Sequence, residues 1–132
     1  MNVKTLIDQL EKQYPGKAII CLPKDNPTEI LCEIDPSSLH PDYSVAISVI
    51  DKSSAHVHKI TVEEYEVLKG SLTLYKDDKK YNLKEGESIT IQPNEVHYAI
   101  GDETWIKATS HPGWTAGDHL LQEDTRNFNK AL

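Results

Sequence analysis

His56-Val57-His58 is where the sequence first offers chemistry, because residues two apart on a strand point to the same face and two imidazoles there can hold one metal ion. The alternative for such a pair is two neighbouring surface histidines. Downstream, Thr-Val-Glu-Glu-Tyr-Glu-Val-Leu-Lys-Gly (61–70) places Glu63, Tyr65 and Val67 on one face of a strand. Glu64 and Glu66 then fall on the other face as solvated carboxylates. Gly70 is expected to end that strand and turn into the next. Fifteen residues, Ser71 to Glu85, separate Gly70 from Gly86, and the run 86–97 ends in a third imidazole, His97. Three imidazoles and one carboxylate suit iron, nickel, zinc and copper, and the carboxylate also admits manganese. The competing reading is a metal-free protein in which the four groups form a buried polar network.

The elements that must position these groups are mostly short strands. Val3, Leu6, Ile7, Leu10 and Tyr14 recur at spacings of three and four with polar residues between them, which predicts one amphipathic helix stopped by Pro15-Gly16. From there the pattern becomes strand-like, in runs rich in Val, Ile, Thr and Tyr. Strands are expected over 18–22, 28–34, 43–51, 56–58, 65–69, 71–75, 79–83, 88–92, 97–100 and 104–109. Turn chemistry at 24–27, 35–38, 76–79, 84–86 and 93–94 separates them. Short strands in close succession favour a closed or double-sheet antiparallel barrel, which hides strand edges. The expected organisation is a single domain of 132 residues: an N-terminal helix (1–16), a barrel (17–110) and a C-terminal arm (111–132) that is either mobile or forms a short helix around 118–122.

At this point the sequence resembles the cupin superfamily, in its small single-domain bacterial form. The first cupin motif, G-x5-H-x-H-x(3,4)-E-x6-G, is matched by His56, His58, Glu63 and Gly70. In the second, G-x5-P-x-G-x2-H-x3-N, the Gly and His correspond to Gly86 and His97. Ile50 stands where the first motif begins with glycine; Gln92, Asn94 and Gly101 replace the Pro, inner Gly and Asn of the second. Asn tolerates a left-handed backbone better than other non-glycine residues, so the turn at Asn94 can survive. The resemblance implies an all-β fold, an antiparallel double-stranded β-helix of jelly-roll type with the N-terminal helix added. It also implies one divalent metal ion (Mn, Fe, Ni, Zn or Cu) held by His56, His58, Glu63 and His97.

Such an ion admits three functions. The first is isomerisation of a sugar or sugar phosphate, with Glu63 or Tyr65 moving a proton. The second is a dioxygenase acting on a small enol, thiol or catechol-like compound. The third is a non-enzymatic barrel that binds or senses a small metabolite. Pocket shape depends on whether Val45, Ile47, Val49, Tyr65, Thr90 and Lys107 face inward. Trp105 reads as core and His40 as a surface residue. The segment 111–119 brings Trp114, Asp118 or His119 to the pocket mouth as a lid, or else packs Trp114 over the barrel or across a dimer interface.

Composition narrows the partners. Lys and Arg number 14 against 21 Asp and Glu, a net charge of −7, and no basic cluster could neutralise a row of phosphates. Nucleic acid is therefore not expected, and no apolar run approaches the roughly 20 residues that span a membrane. The N-terminal residues lack a secretory pattern, so the expected compartment is the cytoplasm. Cys21 and Cys32 read there as reduced, half-buried strand thiols. The helix's apolar face and exposed strand edges suggest a homodimer. No nucleophile elbow, phosphate-binding glycine loop or CxxC pair competes with the metal reading.

Overall fold

The computed structural model describes residues 1–122. Helix α1 (Val3–Gln13) opens with Asn2 as its cap, the side-chain oxygen accepting from the Thr5 N–H. Ten strands follow: β1 (Ala18–Leu22), β2 (Glu29–Asp35), β3 (Ser44–Lys52), β4 (His56–Val57), β5 (Val62–Lys69), β6 (Leu72–Lys76), β7 (Lys79–Leu83), β8 (Ser88–Ile91), β9 (His97–His111) and β10 (Leu120–Leu121). All pairings are antiparallel, and together they form one curled sheet, an all-β half-barrel of jelly-roll type with α1, the one α-helix among the described residues, at its N-terminus.

Strand β9 is the spine. The sequence predicts two strands with a break around 101–103, whereas one strand runs through it. Its first part pairs with β6 and β4, through Gly101↔Leu72 and His97↔His56. Its second part lies between β3 and β5, with Ser110 opposite both Ser44 and Glu63. The strand passes from one set of partners to the other at Gly101–Glu103, where Glu103 takes φ 46°. Gly101 is needed there: a Cβ would sit 2.7 Å from the Ile50 carbonyl oxygen and 2.5 Å from Thr104 Oγ1.

Two apolar clusters hold the sheet. Inside the curl, Ile50, Tyr65, Val67, Leu72, Leu74, Ile91 and Ile106 pack together. Outside it, Leu6 and Leu10 of α1 cover Ile30, Cys32, Ile47, Val49 and Trp105. Each such side chain taken fully from water contributes about 1.5–3 kcal/mol before entropy is counted. Trp105 is core, as expected, and Cys32 is buried and Cys21 half-buried, both as free thiols. Ile47 and Val49 therefore face the helix and not the pocket. Lys107 and Thr90 also point away: Lys107 lies 3.5 Å from Glu66 on the outer surface, and Thr90 is exposed. Val45 alone of the β3 trio borders the interior.

The expected boundary between barrel and arm falls at the last residue of β9. Beyond it, residues 116–118 form a 3-10 turn and Leu120–Leu121 pairs with β4, so the segment up to 122 adds a strand to the sheet in place of the helix expected near 118–122. The rest of the expected arm, 123–132, lies outside the described residues. No helix among the described residues is long and apolar enough to cross a membrane.

Candidate metal centre

The four predicted residues converge. One ligand atom from each of His56, His58, Glu63 and His97 lies within 4.8 Å of all the others, and all four residues are buried. The local reasons are visible in the chain. His56 sits on β4, which pairs with β9 at His97, so strand register alone places these two rings 4.1 Å apart. His58 follows two residues later on the same face. Glu63 enters from the start of β5, and at that strand's far end Gly70, with φ 90°, makes the expected turn into β6. Asn94, at φ 68°, turns the chain between β8 and His97 as a left-handed residue, as its type allows.

Each imidazole is oriented by a backbone carbonyl. His56 Nδ1 is 2.7 Å from the Ser54 oxygen, His58 Nδ1 is 2.8 Å from that of Asp118, and His97 Nδ1 is 2.9 Å from that of Glu95. A carbonyl only accepts, so each ring carries its proton on Nδ1 and turns the Nε2 lone pair inward. His58 Nε2 and His97 Nε2 stand 3.0 and 3.4 Å from Glu63 Oε1. Despite that proximity, none of the three atoms makes a hydrogen bond of acceptable geometry. Buried polar atoms left in this way cost free energy, and one cation shared among them removes the cost. The donor set therefore fits a divalent metal.

The electrostatics agree. Burial would raise the Glu63 carboxyl, but His58 and His97 outweigh it and hold it well below the usual carboxylate range. Burial, reinforced by His97 and His119, drives His56 well below its ordinary value, which keeps that imidazole a neutral donor. For His58 burial acts downward, and the adjoining Glu63 carboxylate reverses it to a net rise.

Asp118 does what the sequence did not assign to it individually. Its carboxylate accepts from the backbone N–H groups of Lys59, Ile60 and Thr61 at 2.9, 3.2 and 3.1 Å, fixing the loop that joins the His58 strand to the Glu63 strand. The same residue's carbonyl holds His58. Those three N–H groups outweigh the effect of burial and depress its pKa. His119 stacks on His56 at 4.1 Å between ring centroids, and its Nδ1 accepts from Trp114 Nε1 at 3.2 Å. Of the two readings of segment 111–119, Trp114 and His119 do reach the pocket wall. His40 is half-buried, 2.7 Å from Asp35 Oδ1 and stacked on Tyr43.

Beside the cluster lies a cavity of about 50 Å³, bordered by His56, Glu63, Tyr65, Glu29 and Ser110. Tyr65 is buried, and burial followed by the Glu63 charge raises its hydroxyl well above the ordinary tyrosine value. Glu29, on β2, escaped sequence reasoning. It projects from the strand face opposite Ile30, and burial followed by the Glu63 charge raises its pKa to about 8. The available signal was parity: Ile30 and Cys32 face the helix, so Glu29, Leu31 and Glu33 must face the interior.

A profile of the cupin domain family matches residues 45–105, the span that carries all four converging residues. The resemblance to the cupin superfamily thus rests on this matched segment and on the fold around it. Solved cupin-fold structures agree over most of the chain's length. The nucleoside dehydratase Pac13 of Streptomyces is similar over 84% of this chain and 92% of its own, with a TM-score of 0.69 at 14% identity. A protein from Planctomyces limnophilus reaches a TM-score of 0.70 at 21% identity, covering 82% of this chain and 92% of its own. KdgF from Halomonas sp. gives 0.60 at 15% identity, over 67% and 84%. A search of curated proteins by sequence finds no match.

Proposed function

We propose that this chain is a metal-dependent enzyme that moves a proton on a small hydroxyl- or carbonyl-bearing substrate, as a sugar isomerase or a dehydratase does. The observation that carries the reading is the inward Nε2 set of His56, His58 and His97 around Glu63 Oε1, fixed by three backbone carbonyls and open to a cavity with its own acid. Those four residues would hold the ion, which when bound polarises a substrate oxygen.

The chain's own groups do the rest. Glu63 has Oε1 among the imidazoles and Oε2 3.4 Å from Ser110 Oγ, so neither oxygen is free to act as a base. We assign the proton-moving role to Glu29, whose raised pKa lets the same carboxyl give and take a proton near neutrality. The Tyr65 hydroxyl orients the substrate as a donor. Pac13, a nucleoside dehydratase with variants solved in the presence of uridine, offers a precedent in this fold for chemistry on a sugar-bearing molecule.

The test is metal analysis of untagged protein purified without chelator, beside His58→Ala, followed by incubation with aldoses and nucleosides in deuterium oxide under argon. Near one equivalent of zinc or manganese and deuterium incorporated into substrate support the reading. One equivalent of iron, nickel or copper with turnover only when oxygen is admitted would replace it with a dioxygenase. Tight metabolite binding without turnover would replace it with a sensing barrel. We further propose cytoplasmic residence and a homodimer joined through strand edges; elution as a monomer in size exclusion with light scattering would overturn the dimer.

A further inference from the structure

A second cavity, of about 460 Å³, adjoins the first. Six residues border both: Leu22, Glu29, Leu31, His56, Trp114 and His119. They form a neck between a small inner space at the metal cluster and a much larger outer chamber. The inner space holds about four water-sized groups, since one water needs roughly 10–15 Å³ by this measure. Among the described residues its charged wall residues are Glu29, Glu33 and Glu63, all acidic. Beyond the neck, Ile20, Pro23, Ala116 and Leu121 make the outer chamber mainly apolar, and Lys52, the one Lys or Arg of its wall among the described residues, is exposed.

From this division we propose that the substrate is bipartite and uncharged, with a small oxygenated head in the inner space and an apolar body, a ring or short chain, in the outer chamber against Trp114, Leu22 and Ile20. The proposal deepens the metal-enzyme reading and rests on it for the position of the head. A sugar phosphate is disfavoured: its small body leaves the mainly apolar outer chamber to water, and its anionic group would have to give up hydration against that apolar wall. The neck rings add selectivity. Trp114 and His119 are tied by their hydrogen bond and His119 is stacked on His56, so the passage is walled by flat surfaces already held in place.

The experiment uses hydroxamic acids, whose common head chelates an open metal site while the body varies. Zinc-loaded protein is titrated by calorimetry with acetohydroxamate, hexanohydroxamate, benzohydroxamate and 4-carboxybenzohydroxamate. Burying a ring or chain in the outer chamber should tighten binding by about tenfold or more over acetohydroxamate, and the carboxylated ring should lose that gain. The ring-to-chain comparison tells which body fits. Ile20→Glu puts a charge in the outer chamber from a half-buried edge-strand position; it should abolish the gain while acetohydroxamate binds as before. Equal affinities for all four compounds in the wild type, with zinc bound, would overturn the proposal and leave the metal reading standing. If the protein takes up no zinc, the metal reading fails by itself. Fluorobenzene, followed by fluorine NMR, then decides the chamber without a metal: binding lost in Ile20→Glu supports an apolar subsite, and no binding to wild type overturns it.

Discussion

Strands β2 and β3 present two faces with opposite solutions. Outward, Ile30, Cys32, Ile47 and Val49 are at most 2% exposed beneath α1, a close-packed apolar layer. Inward, Glu29, Leu31 and Glu33 lie beside Ala46 and Ser48 of the neighbouring strand, and together they wall a cavity. Alternate residues of the same strands thus build the part that stabilises the fold and the part that keeps space open. The small inward residues of β3 forgo packing contacts that the helix restores on the other side. A strand with one face already satisfied can leave its other face hollow and acidic.

Substitutions on the two faces should therefore separate stability from site chemistry. The largest effect belongs to the site: His58→Ala or His97→Ala should reduce bound metal from near one equivalent to none by mass spectrometry, while circular dichroism still reports a folded barrel. On the outer face Leu10→Ala, which empties space at a fully buried position, should cost about 2–5 kcal/mol in urea unfolding without changing metal stoichiometry. Retained stability there would break the comparison.

Glu29 tests the inner face through pH. A carboxyl whose folded pKa stands near 8 binds protons more tightly than in the unfolded chain, where the value is about 4.5. Its contribution is thus complete below pH 4.5 and is lost as pH rises toward 8. In metal-free protein Glu29→Gln should flatten that part of the stability profile and be more stable at pH 9, by on the order of 2 kcal/mol after solvent screening. A slope unchanged by the substitution would remove Glu29 as the acid. The smallest effect is expected at Asp118→Asn, which weakens the loop anchor without removing the carbonyl that holds His58. Metal affinity should fall by about 10-fold, at the low end for groups that orient ligands, as read by competition with a chelator.

The sequence was most legible where period and spacing coincide. His56 and His58 share a face because a strand alternates, and Glu63 and His97 lie at spacings that β5 and β9 bring to the same cluster. The helix was equally clear from Leu6 and Leu10. What escaped depended on which face of the sheet is covered. Ile47 and Val49 have the same alternation whether they point to a pocket or to a helix, and only the docking of α1 decides it. Glu29 looked like any charged strand residue for the same reason. The break expected near 101–103 was a place where β9 exchanges partners, a distinction that no local propensity encodes.

The Asp118 anchor also bears on the order of assembly. His58 and the residue that orients it are separated by 60 positions, and the loop before Glu63 is tied to the same distant carboxylate. During synthesis His58 and that loop therefore leave the ribosome before the residue that anchors them, whereas His56 and His97 are oriented by carbonyls two residues away. That part of the site is complete only after residue 118 has folded back, so a cation held by all four residues would meet a nearly finished barrel.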